Sequence, residues 1–129
     1  MKTIKYLAII PARGGSKRLP RKNILLLQNK PLIYWSIDAA LKTQYINEVI
    51  VTTDDIEIAE ISKKYGAKVP FIRPNELAND TADSVSVVLH VIEYYKSQSV
   101  KIENIILLQP TSPLRTSEDI SLAIELFEQ

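Results

Sequence analysis

The apolar positions of this chain switch repeatedly between two periods. "YLAII", at residues 6–10, is an uninterrupted apolar run halted by Pro11, which predicts a strand buried on both faces. Beyond it, Pro31 opens a helical pattern in which Ile33, Ile37, Ala40 and Leu41 share one face. "EVIVTT", residues 48–53, is rich in β-branched residues and reads as a second strand. Asp54 is placed to cap the following helix, with Glu57 three residues on. In that helix Ile58, Ile61, Ser62 and Tyr65 fall on one side, and Gly66 suits the position just past its end. "KVPFI", residues 68–72, is a short strand that Pro70 demotes to an edge or irregular element. After the polar loop "RPNELANDTADS", Val85, Val88, Leu89 and Ile92 predict a third helical stripe. "NIILLQ", residues 104–109, reads as another doubly buried strand, halted by Pro110. Thr116 and Asp119 then resemble a capping box before the apolar face of Ile120, Ala123, Ile124 and Phe127.

Strands alternating with helices imply an α/β domain, a mostly parallel sheet with helices on both faces. Residues 1–129 are expected to form one such domain. Ligands of these sheets bind beyond the carboxyl ends of the strands, so the loops that follow Ile10 and Gln109 should share one rim. The pattern reaches Gln129 inside a helical stripe, and the sheet is expected to be incomplete on its C-terminal side.

Charge sharpens the picture at one place. The 129 residues carry 16 basic and 15 acidic side chains. This near-balance argues against a protein that coats nucleic acid and makes any charged cluster a local device. Such a cluster occupies residues 11–23, "PARGGSKRLPRKN", where Arg13, Lys17, Arg18, Arg21 and Lys22 surround two glycines. Gly14 and Gly15 permit positive φ and close approach of backbone N–H groups to an anion, Ser16 adds a hydroxyl, and Pro20 limits helix formation. The segment matches neither the Walker pattern nor the dinucleotide fingerprint. A phosphate-binding loop is favoured over a solvated basic one because the glycine pair follows a buried first strand. The absence of cysteine excludes a disulfide framework or a thiolate metal site. The apolar stretch near the N-terminus is too short for a secretory h-region and no apolar run reaches membrane length, so a cytoplasmic location without a membrane partner is expected. Asp54 and Asp55 read as capping and exposed residues rather than a metal pair. His90 has no accompanying serine–aspartate arrangement, and Trp35, Tyr94 and Tyr95 read as packing residues.

Three stretches in the same order, "IIPARGGSKRLPRKNI", "RPNELANDTADS" and "LLQPTSPLR", resemble the acylneuraminate cytidylyltransferases, or CMP-sialic acid synthetases. The resemblance spans nearly the whole chain and corresponds to the N-terminal portion of that family's catalytic domain. It implies a Rossmann-like nucleotide-diphosphosugar transferase fold and transfer of CMP from CTP to a sialic-acid-like nine-carbon sugar acid, releasing pyrophosphate. By the same resemblance Arg13, Gly14, Gly15, Ser16, Lys22 and Asn23 hold the nucleotide, with Lys22 and Arg13 catalytic through their charge on the phosphates. Arg73, Ala82 and Ser84 form the cytosine pocket, and Gln109 contacts the sugar. The family further implies Mg²⁺, whose ligands are expected beyond Gln129, and a homodimer. Two other readings stand beside it: a non-catalytic CTP-binding or assembly module, and a KDO-type cytidylyltransferase. The latter shares the general shape of the first motif but generally lacks the asparagine matching Asn23 and the "QPTSP" segment.

Overall fold

The computed structural model describes residues 2–12, 26–73, 84–109 and 116–128. Strand β1 runs through Lys2–Pro11, longer than its apolar run. Its first residues pair with β5, Val100–Leu107, so Lys2, Thr3 and Ile4 lie beside Val100, Lys101 and Ile102, with only Ile4 buried. Pro11 is the last strand residue rather than the stop before it. On its other side β1 pairs in parallel with β4, Glu48–Thr52. Among the described residues the main sheet has the order β4-β1-β5, all parallel. The fold class expected from the alternation is the one observed.

Two strands absent from the sequence reading form a small antiparallel ribbon, β2 (Leu26–Leu27) and β3 (Lys30–Pro31). Its turn places Gln28 at φ 51° and Asn29 at φ 68°, the pair of positive angles that a two-residue hairpin of matching twist requires. Pro31 then serves as N-cap of α1, Leu32–Leu41. Ile33, Ile37 and Ala40 are buried as expected, joined by Ser36 and Ala39, whereas Leu41 is about half exposed. Helix α2 spans Ile56–Lys64, and its cap is Asp55, not Asp54: the Asp55 carboxylate accepts from the Ile58 N–H at 3.1 Å. The helix ends at Gly66, φ 103°, with Gly66 N–H on Lys63 O and Ala67 N–H on Ser62 O, the paired bonds of a Schellman motif. The chain from Lys68 makes only a single bridge to Ile50 before Pro70, as an irregular edge element should.

Helix α3, Ser84–Ser97, corrects the sequence reading. Its buried face is Val87, Val91 and Tyr95, while Val85 and Leu89 are exposed. The helix is apolar on more than one side, so periodicity alone admitted two stripes. Helix α4, Ser117–Phe127, has the expected capping box between Thr116 and Asp119. It buries Ile120 and Ile124, but Phe127 remains 70% exposed.

The core lies in two layers. Tyr6, Ala8 and Ile10 of β1 pack with Ile33 and Ile37 of α1, Ile58 of α2 and Ile120 and Ile124 of α4. On the other layer Ile4, Leu7 and Ile9 pack with Val91 and Tyr95 of α3. Strict alternation would send Ile4 and Leu7 to opposite faces. Both β1 and β5 shift phase at the same level, since Ile102 and Ile105 also share a layer, so the ladder keeps its register. Strand β5 is only half-buried rather than doubly buried, because no described strand lies on its outer edge.

Candidate nucleotide-binding rim

Three parallel strands that end at the same side of the sheet bring three sequence-distant segments together. At the end of β1 the Ala12 N–H donates to Thr52 O of β4 at 2.9 Å, so the chain leaves for residue 13 tied to its neighbour strand. Past β4, the Arg73 N–H donates to Thr53 O at 2.7 Å. Past β5, the Leu108 N–H donates to Ile9 O at 2.9 Å, which sets Gln109 beside the exit of β1. Ala12, Arg73 and Gln109 therefore flank the three motif-bearing loops on one rim.

Arg73 is 2% exposed, an unusual state for an arginine on a loop. The packing just before it in the chain was not foreseen from sequence. Phe71, two residues earlier, stands edge-on to His90 of α3, with centroids 4.6 Å apart, and tilts against Tyr94 at 5.2 Å. His90 Nδ1 is buried without a hydrogen-bond partner, as befits a ring used for packing. Thr53, also fully buried, accepts from the Asp55 N–H at 3.1 Å and so fixes the turn into α2. The signal for this packing was an aromatic at 71 and another at 94 on a helical face. Gln109 is exposed at the rim. Arg13, Gly14, Gly15, Ser16, Lys22, Asn23 and Ala82 lie outside the described residues, as does the side chain of Ser84, whose backbone opens α3. Trp35 is half-buried on α1, consistent with packing. Among the described residues no group of three or more histidine, aspartate or glutamate side chains could hold a metal ion. Asp55, at the rim side of β4, is engaged in capping α2. No helix of the described residues is long and apolar enough to cross a membrane.

The opposite end of the sheet carries a different polar cluster. Glu48, at the start of β4, accepts hydrogen bonds from Lys68 and from the Tyr95 hydroxyl, the latter at 2.6 Å, with Lys2 at 3.9 Å. Burial alone would raise the Glu48 carboxyl, but these bonds and charges outweigh it and hold the group below the usual carboxylate range. Burial, reinforced by the Glu48 charge, pushes the Tyr95 phenol up. This cluster ties α3 to β4 far from the rim.

Comparison with known proteins places the chain in a family. A family profile described as cytidylyltransferase matches residues 7–129. The chain is 45% identical over 123 residues to a CMP-N,N'-diacetyllegionaminic acid synthase of Legionella pneumophila, covering 95% of this chain and 53% of the relative. It is 46% identical over 126 residues to a pseudaminic acid cytidylyltransferase of Campylobacter jejuni, covering 98% and 54%. The chain thus spans about half the length of these relatives, at their N-terminal portion. Among solved structures, a CMP:2-keto-3-deoxy-manno-octonic acid synthetase complexed with CTP superposes with a TM-score of 0.80 at 27% identity, over 96% of this chain and 47% of the other. A cytidylyltransferase from Leptospira borgpetersenii gives a TM-score of 0.71, also at 27% identity, over 97% and 49%.

Proposed function

Because the chain belongs to the cytidylyltransferase family, we propose that its rim binds CTP and that the chain forms the nucleotide-binding portion of an enzyme transferring CMP to a sialic-acid-like nine-carbon sugar acid. The observation that carries this reading is the convergence of Ala12, Arg73 and Gln109 at the ends of three parallel strands. In the proposed reaction a sugar hydroxyl oxygen attacks the α-phosphorus, the bond from that phosphorus to the bridging oxygen breaks, and pyrophosphate leaves. The hydroxyl proton passes to solvent. Such chemistry needs positioning and charge neutralisation rather than a covalent nucleophile.

In this reading Arg13 and Lys22 offset phosphate charge, Gly14 and Gly15 present backbone N–H groups, and Ser16 and Asn23 add hydrogen bonds. Arg73, with the stretch through Ala82 and Ser84, reads the cytosine edge, and Gln109 faces the sugar. The burial of Arg73, two residues after a Phe71 packed on α3, suits a group that must be held still to discriminate a base. Magnesium would screen the triphosphate when bound. Its ligands are proposed to lie beyond Gln129, and the residues named above would contribute charge and hydrogen bonds beside it. A nine-carbon acceptor is favoured over the eight-carbon KDO because relatives named for legionaminic and pseudaminic acids share 45% and 46% of residues, against 27% for the KDO-type structure. The cytoplasm is the compartment we propose.

Calorimetric titration with CTP, UTP and ATP tests the reading. CTP should bind at least tenfold more tightly than the other two, and equal affinity for all three would overturn the cytosine assignment. A non-catalytic CTP-binding or assembly module is the second reading. Pyrophosphate release on adding CTP, Mg²⁺ and legionaminic or pseudaminic acid separates them, since robust turnover excludes the module.

A further inference from the structure

Helix α3 presents two rings one turn apart. His90 and Tyr94 are separated by four residues and so lie one above the other on the helix surface. Phe71 meets both, edge-on to His90 with centroids 4.6 Å apart and tilted against Tyr94 at 5.2 Å. Tyr94 in turn stands edge-on to Tyr95 at 5.3 Å, and the Tyr95 hydroxyl donates to Glu48 at 2.6 Å. The lower ring of this slot is thus backed by a side chain tied to β4. The upper ring is held differently. His90 Nδ1 is buried with no hydrogen-bond partner among the described residues, so packing sets the orientation of the imidazole.

Both elements that meet in the slot run to the rim. From Phe71 the chain reaches Arg73 in two residues, and there the Arg73 N–H donates to Thr53 O at 2.7 Å. From His90, α3 runs back six residues to Ser84, its first residue, a rise of about 9 Å. In the CTP reading, Arg73 and the stretch through Ala82 to Ser84 are the two walls of the cytosine site. Phe71 against His90 and Tyr94 is a contact that joins these walls directly. A base is discriminated by donors and acceptors held at a fixed spacing, and small misplacements forfeit that discrimination.

We propose that His90 is a positioning residue for nucleotide specificity: with Tyr94 it forms a two-ring slot for Phe71 that sets the spacing between Arg73 and the start of α3, and with it the preference for cytosine over uracil. The choice of ligand rests on the CTP reading, whereas the coupling of His90 to Arg73 does not.

Two variants separate the ring from its nitrogen. His90→Ala removes the upper ring, while His90→Phe keeps a ring and dispenses with an Nδ1 that has no partner to lose. In the nucleotide-free chain, amide hydrogen exchange at Arg73 should quicken at least tenfold in His90→Ala and return to the parent rate in His90→Phe. Ala12 and Leu108, whose N–H groups make the other two rim bonds, should be unchanged in both. In titrations with CTP and UTP, the ratio of the two affinities should fall at least fivefold in His90→Ala and recover in His90→Phe. A residue that merely stabilised the fold would weaken both nucleotides alike and leave the ratio in place. Phe71→Leu empties the slot of its ring from the other side; it should reproduce the His90→Ala pattern, and it decides the matter if that variant does not fold. Unaltered exchange at Arg73 in His90→Ala overturns the proposal whether or not the parent prefers CTP. So does equal quickening at Ala12, Arg73 and Leu108, or an unchanged ratio of CTP to UTP affinity. A parent indifferent to the base overturns the cytosine reading and the specificity role with it, and exchange at Arg73 then decides the coupling alone.

Discussion

At the scale of single residues, one basic and one acidic position make opposed demands on charge. In the opening loop, Lys22 adjoins Asn23 at the end of the first motif, whereas Arg18 sits beside Leu19 and Pro20. A charge-assisted bond to phosphate is worth about 1.5–3 kcal/mol. Lys22→Ala should therefore weaken CTP binding by roughly ten- to a hundredfold. Arg18→Ala should cost less than about 1 kcal/mol, the usual worth of a solvated charge. CMP titrated in parallel reports whether Lys22 serves the α-phosphate. If both variants bind CTP like the parent, the loop is a solvated charge cluster. At the start of β4, Glu48 is held ionised by Tyr95 and Lys68. Its folded-state pKa lies below the unfolded value, so the stability it contributes is complete above the ordinary carboxylate range, about pH 4.3, and is lost as pH falls through the folded value. Urea unfolding between about pH 6 and pH 3 should show a steeper acid loss for the parent than for Glu48→Gln. Tyr95→Phe should destabilise by about 1–3 kcal/mol near neutrality, because the buried carboxylate then lacks a donor. An unchanged midpoint would mean that solvent replaces the phenol.

At the scale of elements, helix ends test how local chemistry fixes the fold. The Thr116 hydroxyl accepts from the Asp119 N–H at 3.2 Å, and the Asp119 carboxylate accepts in turn from the Thr116 N–H, also at 3.2 Å. Thr116→Ala should cost about 1 kcal/mol of unfolding free energy, measured by denaturant titration. Gly66→Ala should cost about 1–2 kcal/mol, since φ 103° disfavours any side chain. The new Cβ would also approach Leu41 Cδ1 at 3.0 Å, though that side chain is half exposed and free to turn. Capping at Thr116 and the stop at Gly66 were legible in the sequence because each depends on residues within one turn. The choice of Asp55 over Asp54 was not, because both are competent and the winner is set by how Thr53 receives the Asp55 N–H. The α3 stripe was misread for a related reason: apolar residues stand on more than one side, and only the sheet decides which side is buried. The Gln28-Asn29 hairpin escaped notice because its strands are two residues each, too short for any period to show.

At the scale of the whole molecule, the order β4-β1-β5 makes one strand central and two marginal. Leu7, Ala8, Ile9 and Ile10 of β1 are completely buried, with a parallel ladder on each side and a helical layer above and below. The alternation of strands and helices disclosed this layering and the shared rim. It could not disclose strand order, because the pairing of Tyr6 with Asn104 is a property of the assembled sheet rather than of any local window. The candidate site followed the same division: its loops were read as motifs, while the Phe71–His90 packing and the burial of Arg73 required the packed structure. Stability should be distributed accordingly. Amides at the centre of β1 can exchange only when the whole sheet opens, whereas the outward N–H groups of β5 lack a partner strand among the described residues. Native-state hydrogen exchange should therefore place Leu7 to Ile10 at the global unfolding free energy and Ile105 and Leu107 at least a hundredfold faster. Ile106, whose N–H alternation turns it toward β1, should fall between them. Uniform protection along β5 in the isolated chain would show that its edge is already covered, and the sheet order alone would then no longer account for how stability is shared.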